Sequence, residues 1–206
     1  VLLEQGNGKS RIDGKHDDEA PGLVGWAWSG VPEGVDVGDV HTVVWKGDSP
    51  EPQAHEFKHP NGVDGVDHVV LRSGDLSQVK ASFAACGVEM RRERADVYPG
   101  ITQLFYRPSE EVIIEVVGPT EAKGDGQGGA ASSPLAPPGP SEQPNLWGIT
   151  FVASDLEGTK AFLGDNLSKL RKAKQAGRQI ATLRNNNLGM NVAIALMTPH
   201  TSKANL

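Results

Sequence analysis

The sequence predicts an α+β protein in which two successive segments have the order strand-helix-strand-strand-strand and follow a loop-rich arm. Two observations support this prediction. Apolar residues with strand and helix periodicity concentrate in two stretches of the chain, and both stretches show the same order of elements. The sequence before and between them is rich in glycine and proline, which are typical of loops. The whole chain of 206 residues contains 25 glycines and 14 prolines.

Residues 1–65 are expected to form the arm. A polar, glycine-rich stretch with a run of charges spans residues 6–21 and predicts a mobile segment. Two apolar runs separated by turn residues, Leu23–Trp28 and Val40–Trp45, predict short strands. Three of the four tryptophans lie in these runs. We therefore expect the arm to pack against the rest of the chain.

The first strand-helix-strand-strand-strand segment covers residues 66–119. It begins with a β-branched strand over Val66–Leu71. Asp75 follows as the N-cap of a helix whose apolar residues recur at helical spacing, and Gly87 ends that helix. Three further strands are predicted over residues 88–94, 101–107 and 112–117.

Residues 120–144 contain mostly Gly, Ala, Ser and Pro, and they have too few apolar residues to form a core, so they are predicted to be a linker. The second segment covers residues 145–199 and leaves 200–206 as a tail. A constant offset relates it to the first segment and pairs Asp75 with Asp155, which favours an internal repeat. Its strands are predicted over residues 149–153, 170–175, 178–184 and 192–197.

The composition argues against several kinds of partner. The net charge is −6, and no dense Lys/Arg cluster is present, which argues against nucleic acid binding. No apolar run approaches the ~20 residues that a membrane-spanning helix needs. The single cysteine, Cys86, excludes an intramolecular disulfide and favours a reducing compartment inside the cell, such as the cytoplasm or an organelle lumen.

Several stretches of the two segments carry a resemblance to a known family. They are Val66–Leu71, Asp75-Leu76 and Val112–Pro119 in the first segment, and Leu146–Val152 with Asp155-Leu156 in the second. They resemble the βαβββ modules of the vicinal-oxygen-chelate superfamily, which includes glyoxalase I, extradiol dioxygenases, methylmalonyl-CoA epimerase and bleomycin-resistance proteins. The resemblance implies that two modules pair into a cupped, eight-stranded mixed sheet. It also implies a small-molecule site in the cup, where side chains of the first and fourth strands face a divalent metal.

On this sequence the implied metal positions are His68 and Glu115 in the first module. In the second module they fall on Gly148 and Ala195, whose side chains cannot bind a metal. Glu115 interrupts an apolar run, where an ionised carboxylate needs a partner, a cation or a raised pKa. We therefore expect it to be a metal ligand or a general base, the alternative being a solvated strand face or a salt bridge to Arg107. The alternative for His68 is a core histidine hydrogen-bonded to Glu115 or to a backbone carbonyl.

Other polar residues have weaker functional interpretations. Gln103 and Phe105 share a strand face and are predicted to line the substrate pocket, although a glutamine on a strand more often faces solvent. Arg178 and Arg184 have the geometry to bind a substrate carboxylate, but a surface position at the ends of a strand is favoured. His200 is also expected at the surface.

Three functions remain open. The first is a metal-dependent lyase, isomerase or dioxygenase in which Zn, Ni, Mn or Fe at His68 and Glu115 stabilises an enolate-like intermediate of a small-molecule substrate. The second is a metal-free binding protein of the bleomycin-resistance type, which the absence of ligands at Gly148 and Ala195 favours. The third is a structural role in a homodimer or larger assembly. The fold alone does not decide among them.

Overall fold

The computed structural model of the protein describes most of the two segments and part of the arm. The described residues are 2–5, 11–12, 15–16, 23–47, 59–109, 112–120, 143–184, 188, 190 and 192–200. Within these ranges the predicted α+β class is confirmed, since the chain forms a mixed eight-stranded sheet and two α-helices. The chain divides into two compact units. The first comprises Val1–Lys46 and Val69–Trp147, and the second comprises Gly47–His68 and Gly148–Leu206.

The arm contributes five short strands to the described part of the chain. They are β1 (Leu2–Gln5), β2 (Arg11–Ile12), β3 (Lys15–His16), β4 (Leu23–Trp28) and β5 (Thr42–Val44). Strand β4 pairs antiparallel with β1 and parallel with β5, while β2 pairs with β3. The two strands predicted from the apolar runs of the arm are thus confirmed. Most of the stretch predicted to be mobile lies outside the described residues.

The next five elements have the predicted order. They are β6 (Val63–Arg72), α1 (Leu76–Ala85), β7 (Met90–Tyr98), β8 (Ile101–Tyr106) and β9 (Ile113–Pro119). Strand β8 pairs antiparallel with β7 on one side and with β9 on the other. Asp75 caps α1 as predicted, because its Oδ1 accepts a hydrogen bond of 2.9 Å from the backbone N–H of Gln78.

The last five elements repeat this order. They are β10 (Asn145–Ala153), α2 (Leu156–Leu163), β11 (Arg171–Lys172), β12 (Gln179–Thr182) and β13 (Ala193–Met197). Strand β13 pairs parallel with β10 and antiparallel with β12, which pairs with β11. Asp155 caps α2 through a 2.8 Å bond from the N–H of Gly158. The domain boundaries, and the interpretation of the two segments as a true repeat, stay predictions.

An aromatic cluster holds the arm against α1 in the first unit. The ring of Phe83, which is fully buried, stacks on Tyr106 at a centroid distance of 4.0 Å. Trp26 and Trp28 approach Phe83 edge-on at 6.3 and 6.2 Å. Ser82, on the same helix, accepts a 2.9 Å hydrogen bond from a backbone N–H of the arm. The expected packing of the arm through its tryptophans is therefore confirmed.

The second unit has its own core. Its buried residues come from β10, α2, β12, β13 and the segments beside them: Ala153, Leu156, Leu167, Ala181, Leu183 and Leu196. The Oγ1 of Thr159 donates a 2.8 Å hydrogen bond to the carbonyl of Asn61, which ties α2 to the chain entering β6. None of the helices in the described ranges has the length and apolar character needed to cross a membrane.

Candidate functional site

The predicted pocket residues of the first unit lie together on one face of β8 and β9. The register places Phe105 opposite Glu115 and Gln103 opposite Val117. Residues directly opposite each other in an antiparallel pair point to the same face, as do residues two apart on one strand. Gln103, Phe105 and Glu115 therefore share a face.

A short hydrogen bond joins two of these side chains. The Nε2 of Gln103 donates to the Oε1 of Glu115 at 2.6 Å, across the diagonal between the two strands. Gln103 is buried and Glu115 is half-buried. Gln103 is therefore not the solvent-facing glutamine of the alternative interpretation, because it is buried and hydrogen-bonded to Glu115. The amide donor fixes the orientation of the carboxylate.

The surroundings of this pair are apolar on one side. Ile101 and Val117, which share the face of Gln103, form a buried cluster with Val70, and the half-buried Trp147 packs against it. A charged group beside such a surface loses hydration, and hydrogen bonds must replace it. The bond from Gln103 supplies part of that replacement.

On the other side of Glu115 the face continues into an open groove. Phe105 and Ile113, the neighbours of Glu115 on this face, line it together with Arg91, Arg107 and Ser109. Its volume is about 930 Å³, at the upper end of the range of small-molecule sites, which is about 300–1,000 Å³. The half-buried carboxylate is therefore next to two residues that line the groove, since Phe105 lies opposite Glu115 and Ile113 lies two residues before it on the same strand.

A second polar cluster surrounds Asp67 and His68 in the second unit. The Nδ1 of His68 lies 3.0 Å from the Oδ2 of Asp67. Arg178 donates from Nη2 to Oδ1 of Asp67 at 2.6 Å and from Nη1 to Oδ2 at 3.3 Å. The side chains of Asp67, Arg178 and His68 are only 4%, 1% and 13% exposed. This is a buried ion pair with an imidazole hydrogen-bonded to its carboxylate.

The surface position favoured for Arg178 is therefore wrong. Its guanidinium is buried because Asp67 compensates the charge and because Nε donates to the carbonyl of Thr198 at 2.7 Å. Nη1 also lies 3.1 Å from the Nε2 of His200, whose side chain is 65% exposed, as expected for a surface residue. Arg184 is exposed, as expected. Sequence analysis missed the pair because Asp67 and Arg178 are 111 residues apart.

The cluster determines the charge of Asp67. Burial by itself raises the pKa of a carboxyl group, but hydrogen bonds from His68 and Arg178 and the positive charge of Arg178 act in the opposite direction. The net effect holds the pKa of Asp67 well below its ordinary value. Asp67 is therefore ionised and can only accept hydrogen bonds.

The residues present do not fit a complete metal site. Within the described ranges, no group of three or more His, Cys, Asp or Glu side chains is placed to hold a metal ion. Catalytic zinc sites usually have about three protein ligands. In the second unit, a Cβ at Gly148 would lie 2.7 Å from the carbonyl oxygen of Ala193, so this strand position has no room for a ligand side chain. Metal binding by His68 and Glu115 stays a prediction.

The tight contact at Gly148 gives a testable result. Replacing Gly148 with alanine should lower the free energy of unfolding by about 1–3 kcal/mol, because the new methyl group forces the two paired strands apart. Urea unfolding measures this change. The matched control is Gly65→Ala, since Gly65 also lies on a strand but has no atom within 4 Å of its Cβ position. Equal changes in the two variants would contradict the close approach.

Comparisons with known proteins bear on the fold. No protein-family model matches the sequence, and no curated protein matches it significantly. A solved structure of methylmalonyl-CoA epimerase from Mycobacterium tuberculosis matches 70% of this chain and 93% of its own, with 19% identity and a TM-score of 0.51. A Streptomyces coelicolor methylmalonyl-CoA epimerase variant in complex with 2-nitronate-propionyl-CoA matches 68% of this chain and 99% of its own, with 17% identity and a TM-score of 0.48.

At these identities the likeness concerns the fold and not the activity. The match to the Mycobacterium tuberculosis protein extends over nearly all of that chain. Methylmalonyl-CoA epimerases belong to the superfamily that the sequence resembles. The chain therefore has the glyoxalase-like fold of the vicinal-oxygen-chelate proteins.

Proposed function

We propose that the protein binds a small organic molecule on the face of β8 and β9, with the carboxylate of Glu115 as the polar anchor. The observation that carries the proposal is the 2.6 Å hydrogen bond from the buried Gln103 to Glu115. The other residues that β8 and β9 place on this face are apolar, while the adjacent β7 contributes Arg92 and Arg94. A carboxylate oriented in advance loses little entropy when a ligand binds. The bond from Gln103 holds this carboxylate in one orientation on the face of β8 and β9.

The surroundings indicate the chemistry of the ligand. The ring of Phe105 and the side chain of Ile113 offer apolar contact beside the carboxylate. Small-molecule sites generally combine such surfaces with a few well-placed polar groups. The ligand is therefore an apolar or aromatic molecule with a hydroxyl, amine or amide that donates to Glu115. This is the chemistry of the metal-free binding proteins considered above.

A second candidate function uses the same carboxylate as a general base in a lyase, isomerase or dioxygenase. It is favoured by the amide of Gln103, because this donor holds the carboxylate of Glu115 in a fixed position on the face of β8 and β9. The predicted binding of a divalent metal is tested separately for His68 and for Glu115. Metal analysis of wild-type protein and of the His68→Ala and Glu115→Ala variants tests it. A homodimer is tested by the molar mass in solution.

Calorimetric titration with three probes tests the binding proposal. Catechol and benzylamine have an aromatic ring and a donor, and propionyl-CoA represents the acyl thioesters of the structurally similar epimerases. We expect catechol or benzylamine to bind with a dissociation constant of about 1 mM or lower. Glu115→Gln should weaken that binding at least about tenfold, since a hydrogen bond to a charged group contributes about 1.5–3 kcal/mol.

The matched control is Glu157→Gln on α2, which makes the same chemical change at an exposed position. It should leave the affinity unchanged. Equal affinity of wild type and Glu115→Gln for every probe would refute Glu115 as the anchor. Exchange of the C2 protons of propionyl-CoA with solvent, or turnover of catechol with O₂ or of an α-keto aldehyde with glutathione, would favour the enzymatic candidate over simple binding if it is abolished in Glu115→Gln.

A further inference from the structure

We infer that Asp67 and Arg178 are positioning residues for His68, which keep a proton on its Nδ1 and so make Nε2 the nitrogen through which His68 acts. This inference concerns the second unit and does not depend on a ligand at Glu115. It gives a function to Arg178, which belongs to the second segment. The implied ligand positions of that segment, Gly148 and Ala195, cannot bind a metal, so the segment contributes by orienting His68 through Arg178.

The first step of the argument is the direction of the hydrogen bond between Asp67 and His68. The Oδ2 of Asp67 lies 3.0 Å from Nδ1 of His68, and both side chains are largely buried. Asp67 forms a forked ion pair with the guanidinium of Arg178, and the carboxylate of such a pair has no proton to donate. Nδ1 must therefore carry the proton, whatever the state of Nε2.

The second step is the position of the carboxylate itself. The Nη2 and Nη1 atoms of Arg178 contact one oxygen each, at 2.6 and 3.3 Å. The guanidinium is planar and is held in turn by the carbonyl of Thr198, at 2.7 Å from Nε. A forked contact of this kind fixes the plane of the carboxylate as well as its charge. Arg178 thus orients Asp67, and Asp67 orients the ring of His68.

The third step is the chemical consequence. The partner of one ring nitrogen determines which tautomer a histidine adopts and hence which nitrogen binds a metal or exchanges a proton. A carboxylate on Nδ1–H also fixes the orientation of the ring. Asp67 and Arg178 therefore prepare His68 for either role at Nε2, proton transfer or metal binding.

The direct test is a long-range ¹H–¹⁵N correlation spectrum of the imidazole nitrogens in the intact chain at one fixed pH near 8. We expect Nδ1 of His68 to be protonated. The exposed His41, which has no carboxylate on its ring in the described contacts, serves as the internal reference and should show the tautomer mixture of a solvated imidazole. An unprotonated Nδ1 in His68 would overturn the inference.

The variant Asp67→Asn separates positioning from a purely structural role. The side-chain oxygen of the new asparagine should accept the hydrogen bond from Arg178, so its NH₂ group faces His68. Nδ1 of His68 must then accept a hydrogen bond from that NH₂ group. The proton should move to Nε2. The control Asp165→Asn, at an exposed site, should leave the spectrum unchanged. A folded Asp67→Asn variant that retains the proton on Nδ1 would contradict the inference. If this variant does not fold, the protonation of Nδ1 of His68 in the wild-type spectrum is the test of the inference.

Discussion

Replacing Arg178 with methionine is expected to lower the free energy of unfolding by about 3–5 kcal/mol, the range found when one partner of a buried ion pair is removed. The reason is the environment of Asp67, whose side chain is 4% exposed and receives two hydrogen bonds from Arg178. Without the guanidinium the carboxylate stays buried with its charge uncompensated. Denaturant unfolding monitored by circular dichroism measures the change.

Two controls make this result specific. Arg184→Met removes an exposed arginine nearby in sequence and should change the free energy by at most about 0.5 kcal/mol. The double variant Asp67→Asn/Arg178→Met removes both charges and should be more stable than Arg178→Met alone, because no charge remains buried without a partner. A double variant less stable than both single variants would argue that packing, and not charge compensation, determines the effect.

The same pair predicts a dependence of stability on pH. The pKa of Asp67 is lower in the folded chain than in the unfolded chain, where it is about 3.9. Its stabilisation is therefore fully present above about pH 5 and is lost as the pH falls below the unfolded value towards the folded one. Acidification should destabilise wild type more steeply than the double variant. Parallel curves for the two proteins would contradict the lowered pKa.

Replacing Phe83 with alanine should also lower the free energy of unfolding by about 3–5 kcal/mol. The ring is fully buried, stacks on Tyr106 and contacts two tryptophans of the arm. Its removal leaves a cavity where α1, β8 and the arm meet, and the loss of aromatic contacts adds to the cost of that cavity. Thermal and denaturant unfolding both measure this effect.

The matched control for Phe83 is Phe162→Ala on α2, where the side chain is 59% exposed. This variant should be destabilised by much less, about 0.5 kcal/mol or below. Tryptophan fluorescence adds a local measure, since Trp26 and Trp28 should become more accessible to a quencher in Phe83→Ala. A variant with unchanged quenching and unchanged stability would show that the arm does not depend on this ring.

Local patterns allowed most of the fold to be predicted. The N-caps Asp75 and Asp155 could be predicted because each carboxylate accepts a hydrogen bond from the backbone N–H three residues later. Such a local contact can be recognised from residue types alone. Strand ends were predicted less well. Strand β6 begins at Val63, before the apolar run, because backbone pairing continues through the polar residues that precede it. Strand β7 extends to Tyr98 because pairing resumes there, opposite Ile101, after an irregularity that follows Arg94.

The candidate site could be predicted only where it depends on strand alternation. Gln103, Phe105 and Glu115 lie on one face because residues two apart on a strand point the same way. The contact of Asp67 with Arg178 depends on tertiary structure across 111 residues, and a single sequence carries no signal for it. An arginine at a strand end is most often exposed, so the commoner interpretation of Arg178 was the wrong one.

The most direct test of the proposed binding site locates a bound probe on the molecule. Catechol is titrated into isotopically labelled protein while the side-chain amide of Gln103 and the methyl groups of Ile113 and Ile194 are followed by NMR. A ligand anchored at Glu115 should shift the Gln103 amide and the Ile113 methyl. It should leave Ile194, which packs against the core of the second unit, unchanged. The proposal is contradicted if the shifts appear only in the second unit, or if Glu115→Gln shows the same shifts at the same catechol concentrations.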